Sequence, residues 1–292
     1  MKIALYGKAF GSDYDELMRD VVDILSDNDV DIVIYKPFWN DIKHCLDDSI
    51  CFNLFDGSLT ADDHVDMLFS FGGDGTILDS VPLIKDTEIP VLGINTGNLG
   101  FLSSVSTQET RDAVRNIIEG NYEIERRSMI KIKDDENLFD GINYALNEVS
   151  VLRENNGSLI IVHVYIDDKL LNTYWADGII LATPTGSTAY SMSVGGPIMT
   201  PNTDSFLITP IAAHNLSVRP VVIPDKSKIK IKVEGRCEKF ALGLDSRNKL
   251  IDKSMLIEAE KTDFYLNMVK VMSKDFFGTI RSKLLWGNDV RN

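Results

Sequence analysis

The chain has 292 residues, 44% of them hydrophobic, and a formal net charge of −14. This length suits one large or two ordinary domains, each with a full core. The acidic balance argues against a nucleic-acid surface, which needs a basic face, and against docking on anionic membranes.

Residues 3–6 read as a strand. Ser12 is placed to cap a helix in which Leu17, Val21, Ile24 and Leu25 recur at helical spacing. Residues 32–35 are a second strand, and residues 37–63 are polar, acidic and irregular, like a surface segment. Residues 67–71 form a short apolar run, as a buried strand does. Gly72-Gly73-Asp74-Gly75-Thr76 follows, then residues able to begin a helix. Residues 90–94 are a fourth strand, leading into the glycine-rich Asn95-Thr96-Gly97-Asn98-Leu99-Gly100-Phe101. Strands alternating with helices predict an α/β domain with a Rossmann-like, doubly wound parallel sheet. Ligands bind at the carboxyl ends of such strands, and both glycine loops open on that edge. Residues 107–119 are a helix with Ala113, Ile117 and Ile118 inward.

From Tyr122 the pattern becomes successive short strands with little helix, which predicts a β-rich, sandwich-like domain. Asp167-Asp168-Lys169 reads as a hairpin turn. Residues 273–285 return to helical spacing at Phe276, Phe277, Ile280 and Leu284, a C-terminal helix expected to return to the first domain. The expected division is 1–122 plus 271–292 for the α/β domain and 123–270 for the β-rich one. Cys45, Cys51 and Cys237 have no metal-site spacing, so reduced thiols are expected. The apolar run after Met1 is too short for a signal peptide, and no stretch approaches the ~20 apolar residues of a membrane span. The expectation is a soluble cytoplasmic protein.

Three segments carry chemistry. The first is the glycine–aspartate turn. Glycines let a backbone approach a ligand, and amides at a helix start favour phosphate. A carboxylate between them would repel phosphate, so Asp74 has to act on something else, a hydroxyl proton or a magnesium ion. A tight structural turn is the plain alternative. The second segment runs from Asp177-Gly178 through Thr183-Pro184-Thr185-Gly186-Ser187-Thr188-Ala189-Tyr190-Ser191 to Ile198. Its hydroxyls and amides suit a polar ligand such as a nucleotide; a serine-rich capped helix is the plain alternative. The third is the polar pair Asn147-Glu148 among apolar neighbours. Asn can read an adenine edge and Glu can accept from a ribose hydroxyl, but the pair also fits a solvated strand end.

Together these residues resemble the NAD kinase family. Its members share the Gly-Gly-Asp-Gly-Thr turn with diacylglycerol, sphingosine and, more distantly, phosphofructo-kinases. The segment from Gly93 to Leu102, the Asn-Glu pair, the Thr-Pro-Thr-Gly-Ser stretch and the segment from His214 to Pro220 appear in family order. The resemblance implies phosphorylation of the adenosine 2′-hydroxyl of NAD by ATP, with Mg²⁺ or another divalent ion held mainly by the ATP phosphates. It also implies a homodimer or homotetramer.

Residue by residue, the resemblance makes Asp74 catalytic, with Gly72, Gly73 and Gly75 beside it. Asn147 and Glu148 bind the nucleotide, and Asp177 holds the nicotinamide end. Thr188, Ala189, Tyr190, Ser191, Met192 and Ser193 hold the NAD body, and Ala212 joins this binding set. Trp175, two residues before Asp177, shares its strand face and either flanks the ligand or packs inside. Arg247 stands where relatives often have Gln and either reaches a phosphate or lies on the surface. Val194 stands where the family usually has Ala. His214 reads as a structural histidine, and His44, His64 and His163 sit in no constellation. Arg126-Arg127 either offsets phosphate charge or is a solvated strand entry. Two other readings compete: a lipid kinase sharing the turn, and a nucleotide sensor that kept the pocket and lost turnover. The acidic balance and the Thr-Pro-Thr-Gly-Ser stretch oppose the first, and the intact Asp74 opposes the second.

Overall fold

Strands Lys2–Gly7, Met67–Phe71 and Val91–Asn95 are continuous apolar runs because both of their faces are covered. Ile3, Leu5, Phe69 and Phe71 have no exposed surface, and each such burial contributes about 1.5–3 kcal/mol. The computed structural model describes residues 1–8, 11–47, 50, 52–97, 100–154, 159–271 and 275–287. Among them the chain divides into two units, Met1–Arg126 with Leu266–Asn292, and Arg127–Tyr265.

The first unit holds an eight-stranded sheet among the described residues. Its order is Asn53–Phe55, Asp31–Tyr35, Lys2–Gly7, Met67–Phe71, Val91–Asn95, Leu266–Lys270 and Glu123–Arg127, with Val105–Ser106 also paired to Val91–Asn95. Parallel pairing of Met67–Phe71 with Val91–Asn95 puts the ends of both strands on one edge, so the two glycine loops open together as expected. Helix Asp15–Asp27 buries Met18, Val21, Val22 and Leu25 against this sheet.

Several expectations change. Ser12 begins a short 3₁₀ turn, Ser12–Tyr14, and caps nothing; the helix starts at Asp15. The segment read as irregular contains helix Lys36–Ile42, with Pro37 in its first turn, where the missing N–H costs nothing. Glu123–Arg127 and Leu266–Lys270, both assigned by sequence to the β-rich domain, pair into the first sheet. Strand propensity carries no record of which sheet a strand joins. The C-terminal helix Phe276–Leu284 belongs to this same unit. Its start is capped by Asp275, which accepts the Gly278 N–H at 2.5 Å. The Phe276 ring lies 6.4 Å from that of Phe101, and Lys283 Nζ lies 5.0 Å from the Phe101 ring.

The second unit is two antiparallel six-stranded sheets among the described residues. One runs Val221–Pro224, Ser205–Ile211, Gly178–Ala182, Glu148–Arg153, Lys239–Leu244, Arg247–Asp252. The other runs Lys169–Ala176, Ile160–Ile166, Ile229–Glu234, Ile257–Lys261, Ile130–Ile132, Tyr144–Ala145. Inward residues of both share one core, including Val149, Val151, Leu181, Phe206, Leu242, Val162, Ile231 and Ala259. The expected hairpin turn is present: Asp167 and Asp168 have φ of +48° and +64°, the left-handed pair of a two-residue hairpin.

Candidate nucleotide site

The glycine–aspartate turn lies at the carboxyl end of strand Met67–Phe71, where helix Asp74–Ile84 begins. Its glycines are there for different reasons. Gly72 has φ of +151°, and a Cβ on it would lie 2.1 Å from Thr76 Oγ1. Gly73 and Gly75 have no positive φ and no atom within 4 Å of where a Cβ would be. The protein's own packing does not demand glycine at 73 or 75, so their open faces fit a ligand that approaches the backbone.

Asp74 is held from the second glycine loop. Its Oδ2 accepts the Phe101 N–H at 2.7 Å. Its Oδ1 accepts the N–H groups of Leu102 and Ser103 and the Ser103 hydroxyl, each at 3.0 Å. Successive amide dipoles thus converge on one negative charge. Gly100 permits this, since a Cβ there would lie 1.6 Å from Asp74 Oδ1. Oδ2 carries one bond and Oδ1 three, so acceptor capacity remains on Oδ2. Asn98 and Leu99 of the same loop lie outside the described residues.

In the second unit, Asn147 and Glu148 lie where strand Tyr144–Ala145 gives way to strand Glu148–Arg153. They are 8% and 9% exposed, which excludes the solvated strand end. Their backbone is gripped by the turn between strands Lys239–Leu244 and Arg247–Asp252. The Asp245 carboxylate accepts the N–H of Leu146 at 2.8 Å, of Asn147 at 2.7 Å and of Glu148 at 3.1 Å. The Asp245 N–H donates to the Glu148 carbonyl at 3.1 Å. Arg247 neither lies free on the surface nor points its terminal nitrogens away from the protein. Nη1 donates to the Ile142 carbonyl at 2.5 Å and Nη2 to the Tyr144 carbonyl.

Burial pushes the Glu148 carboxyl up to about 8, and the neighbouring Asp245 charge pushes the same way. Asp245 is itself raised by burial, against the pull of the three amides and Arg247, while burial lowers Arg247. Glu148 Oε2 is buried without a hydrogen-bond partner.

The Thr-Pro-Thr-Gly-Ser stretch packs on this pair. Thr183 donates its N–H to the Asn147 carbonyl at 2.8 Å, and a Cβ on Gly186 would lie 2.0 Å from that oxygen. Some of its hydroxyls are spent on the fold. Ser187 Oγ donates to the Pro184 carbonyl at 2.7 Å and accepts the Met199 N–H at 2.9 Å, and Ser191 Oγ meets Thr209 Oγ1 at 2.8 Å. Thr188, Ala189 and Met192 are partly exposed, and Tyr190 and Ser193 are exposed.

Asp177, Trp175 and Ala212 form a separate group. The Asp177 carboxylate is paired with Arg153, Nε to Oδ1 at 3.1 Å and Nη2 to Oδ2 at 3.2 Å. Asp177 donates its N–H to the Ile211 carbonyl at 2.9 Å, and His214 donates its N–H to the Trp175 carbonyl at 2.8 Å. Ala212, between them, has φ of +46°. Trp175 is 55% exposed, which overturns the packed-aromatic reading. This group and the Asn147 group mark opposite ends of strand Gly178–Ala182, roughly 20 Å apart at 3.4 Å per residue.

Arg127, at 7% exposure, is no solvated strand entry. Among the described residues, one group of metal-capable side chains occurs, Asp15, His44 and Cys45, so His44 does sit in a constellation. It is not on the glycine turn. Cys45 and Cys237 are free thiols, and Cys51 lies outside the described residues. The sequence reading missed the roles of Gly100, Ser103, Arg153 and Asp245. The usable signal was the two-residue turn Asp245-Ser246 close behind an apolar strand.

A doubly wound sheet with a glycine-lined strand-to-helix turn, joined in one chain to a β-sandwich with a buried polar strand end, defines a class of nucleotide-handling enzymes. Residues 12–122 match the ATP-NAD kinase N-terminal domain and residues 146–271 the ATP-NAD kinase C-terminal domain. The NAD kinase of Cytophaga hutchinsonii is 39% identical over 295 residues, covering 100% of both chains, and that of Bacteroides fragilis 36% over 297 residues, likewise. Yeast NADH kinase, solved in complex with NADH, superposes with a TM-score of 0.85 at 27% identity, over 100% of this chain and 89% of its own. An NAD kinase from Archaeoglobus fulgidus, solved with ATP, gives 0.76 at 26% identity, over 98% and 99%. The chain belongs to the NAD kinase family.

Proposed function

We propose that the chain transfers the γ-phosphoryl group of ATP to the adenosine 2′-hydroxyl of NAD, giving NADP and ADP. The observation that carries this is the Asp74 carboxylate, fixed by the Phe101, Leu102 and Ser103 amides on a turn whose Gly73 and Gly75 faces are open. Full-length similarity to named NAD kinases supports the acceptor. In this reading Oδ2 of Asp74 accepts the 2′-hydroxyl proton as the bond from that oxygen to the γ-phosphorus forms. The bond to the β–γ bridging oxygen breaks and ADP leaves. Gly73 and Gly75 let the triphosphate approach the start of helix Asp74–Ile84. Asn147 and Glu148 hold the nucleotide, with Thr188 to Ser193 beside them, and Asp177 holds the nicotinamide end.

A divalent ion supplies charge neutralisation on the phosphates when bound. In this reading the ion arrives on the triphosphate, and Asp74, with acceptor capacity left on Oδ2, is the carboxylate at the turn that could face it. A homodimer or homotetramer and a cytoplasmic location belong to the same proposal. No helix among the described residues is long and apolar enough to cross a membrane.

The test supplies ATP, Mg²⁺ and NAD and detects NADP with an NADP-specific dehydrogenase. NADP formation is expected. NAD binding without NADP would make the chain a sensor, and lipid phosphorylation without NADP would make it a lipid kinase.

A further inference from the structure

The turn at Asp245-Ser246 touches the backbone of residues 142–148 from both chemical sides. Asp245 accepts from the amides of Leu146, Asn147 and Glu148, while Arg247 donates to the carbonyls of Ile142 and Tyr144. Buried amides without acceptors are costly, so these bonds fix the path of the chain through Asn147 and Glu148. The Asn147 carbonyl is fixed from the other direction by the Thr183 N–H. The side chains of Asn147 and Glu148 are thus aimed by a backbone that has little freedom left.

We infer that Asp245 and Arg247 are positioning residues for NAD binding, acting as a two-sided backbone clamp on the Asn147-Glu148 pair. The inference rests on the reading that this pair holds the nucleotide. It removes Arg247 from the set of ligand contacts. Both residues act through another group, and neither has to touch NAD. Chemistry supports the choice of residue types. A carboxylate offers two oxygens with about four lone-pair sites, enough for successive amides, and a guanidinium offers a rigid fork of donors that spans two carbonyls. Asparagine at 245 keeps the shape but replaces one oxygen with a donor that faces an amide. Glutamine at 247 is too short to reach both carbonyls.

The experiment compares Asp245→Asn, Arg247→Gln, Asn147→Ala and the double variant Asp245→Asn/Asn147→Ala in steady-state kinetics on the full chain. Small misplacements of a binding group cost up to about a hundredfold. Asp245→Asn is therefore expected to raise the KM for NAD at least about tenfold, with the KM for ATP unchanged and kcat less affected. Arg247→Gln shifts it in the same direction by less. The double variant is expected to fall short of the product of the two single effects, because the Asn147 side chain cannot be lost twice and only the displacement of Glu148 is left to add. Amides 146–148 should also exchange hydrogen faster in Asp245→Asn.

Fully additive effects would overturn the inference. So would an Arg247→Gln protein with a lowered Tm and an unchanged KM for NAD, the mark of a purely structural clamp; that variant also serves if Asp245→Asn does not fold. An unchanged KM for NAD in Asn147→Ala would overturn the underlying reading of the pair. A raised KM in Asn147→Ala, with Asp245→Asn and Arg247→Gln unaffected, would overturn the positioning role alone.

Discussion

Glu148 Oε2 has no hydrogen-bond partner, and the carboxyl stays neutral up to about pH 8. In the unfolded chain the same group ionises near its ordinary value of about 4.3. Between these two values the folded state binds the extra proton, so this group's contribution to stability falls as pH rises and levels off above about 8. Glu148→Gln, a mimic of the neutral form, should therefore be more stable than the parent at pH 7, by at most about 4 kcal/mol. Its chemical denaturation midpoint should vary less with pH between 5 and 8. Equal pH dependence in both proteins would remove Glu148 as the source. Asp74→Asn should lower turnover at least about a hundredfold. It also exchanges one acceptor oxygen for a donor facing the 101–103 amides, so some loss of stability is expected beside the kinetic one. Near-normal turnover would take Asp74 out of the mechanism. The residue types at 74, 147 and 148 were readable because a carboxylate among glycines, or a polar pair inside an apolar strand, is chemically conspicuous. The grip on their backbones was not, since the donors at 101–103 and 146–148 are main-chain amides that every residue carries.

At the scale of elements, the loop after strand Val91–Asn95 fastens Asp74, and Gly100 is its tightest point. A Cβ at 100 meets a carboxylate that three amides already hold, so Gly100→Ala should displace Asp74 and cut kcat, on the order of a hundredfold for a misplacement of about 1 Å. Gly73→Ala meets no atom within 4 Å in the free protein. It should leave the Tm unchanged and raise the KM for ATP. Thermal melts beside steady-state kinetics separate the two; a lowered Tm in Gly73→Ala would show a packing role and weaken the open-face argument. Strand Met67–Phe71 and its turn were legible because five consecutive buried residues end in glycine. Strand Arg247–Asp252 was not. It is an edge strand with one buried residue, Ile251, so its sequence lacks the alternation that marks a half-buried strand. Trp175 was misread for a related reason. Alternation says which residues share a face, while only the neighbouring elements decide whether that face is covered.

At the scale of the whole molecule, the sandwich unit is one uninterrupted segment, Arg127–Tyr265, whereas the first unit needs both ends of the chain. Strand Leu266–Lys270 lies between Val91–Asn95 and Glu123–Arg127 in the first sheet. Residues 127–265 expressed alone should fold with a cooperative melt, since the described residues of their core all lie within that segment. Residues 1–126 alone should not, because an interior position of their sheet is empty. A cooperative melt for 1–126 would show that the late strand is dispensable.

The late strand also sets an order of events on the ribosome. The first hundred residues emerge able to pair most of a sheet, but its interior gap is filled only after the whole sandwich has been made. At about 5–20 residues per second that wait is on the order of ten seconds. For that time the start of Val91–Asn95, beyond the stretch that Val105–Ser106 covers, and strand Glu123–Arg127 offer unpaired backbone to any other nascent chain. The half-made chain is therefore most exposed to edge-to-edge pairing before residues 266–270 exist.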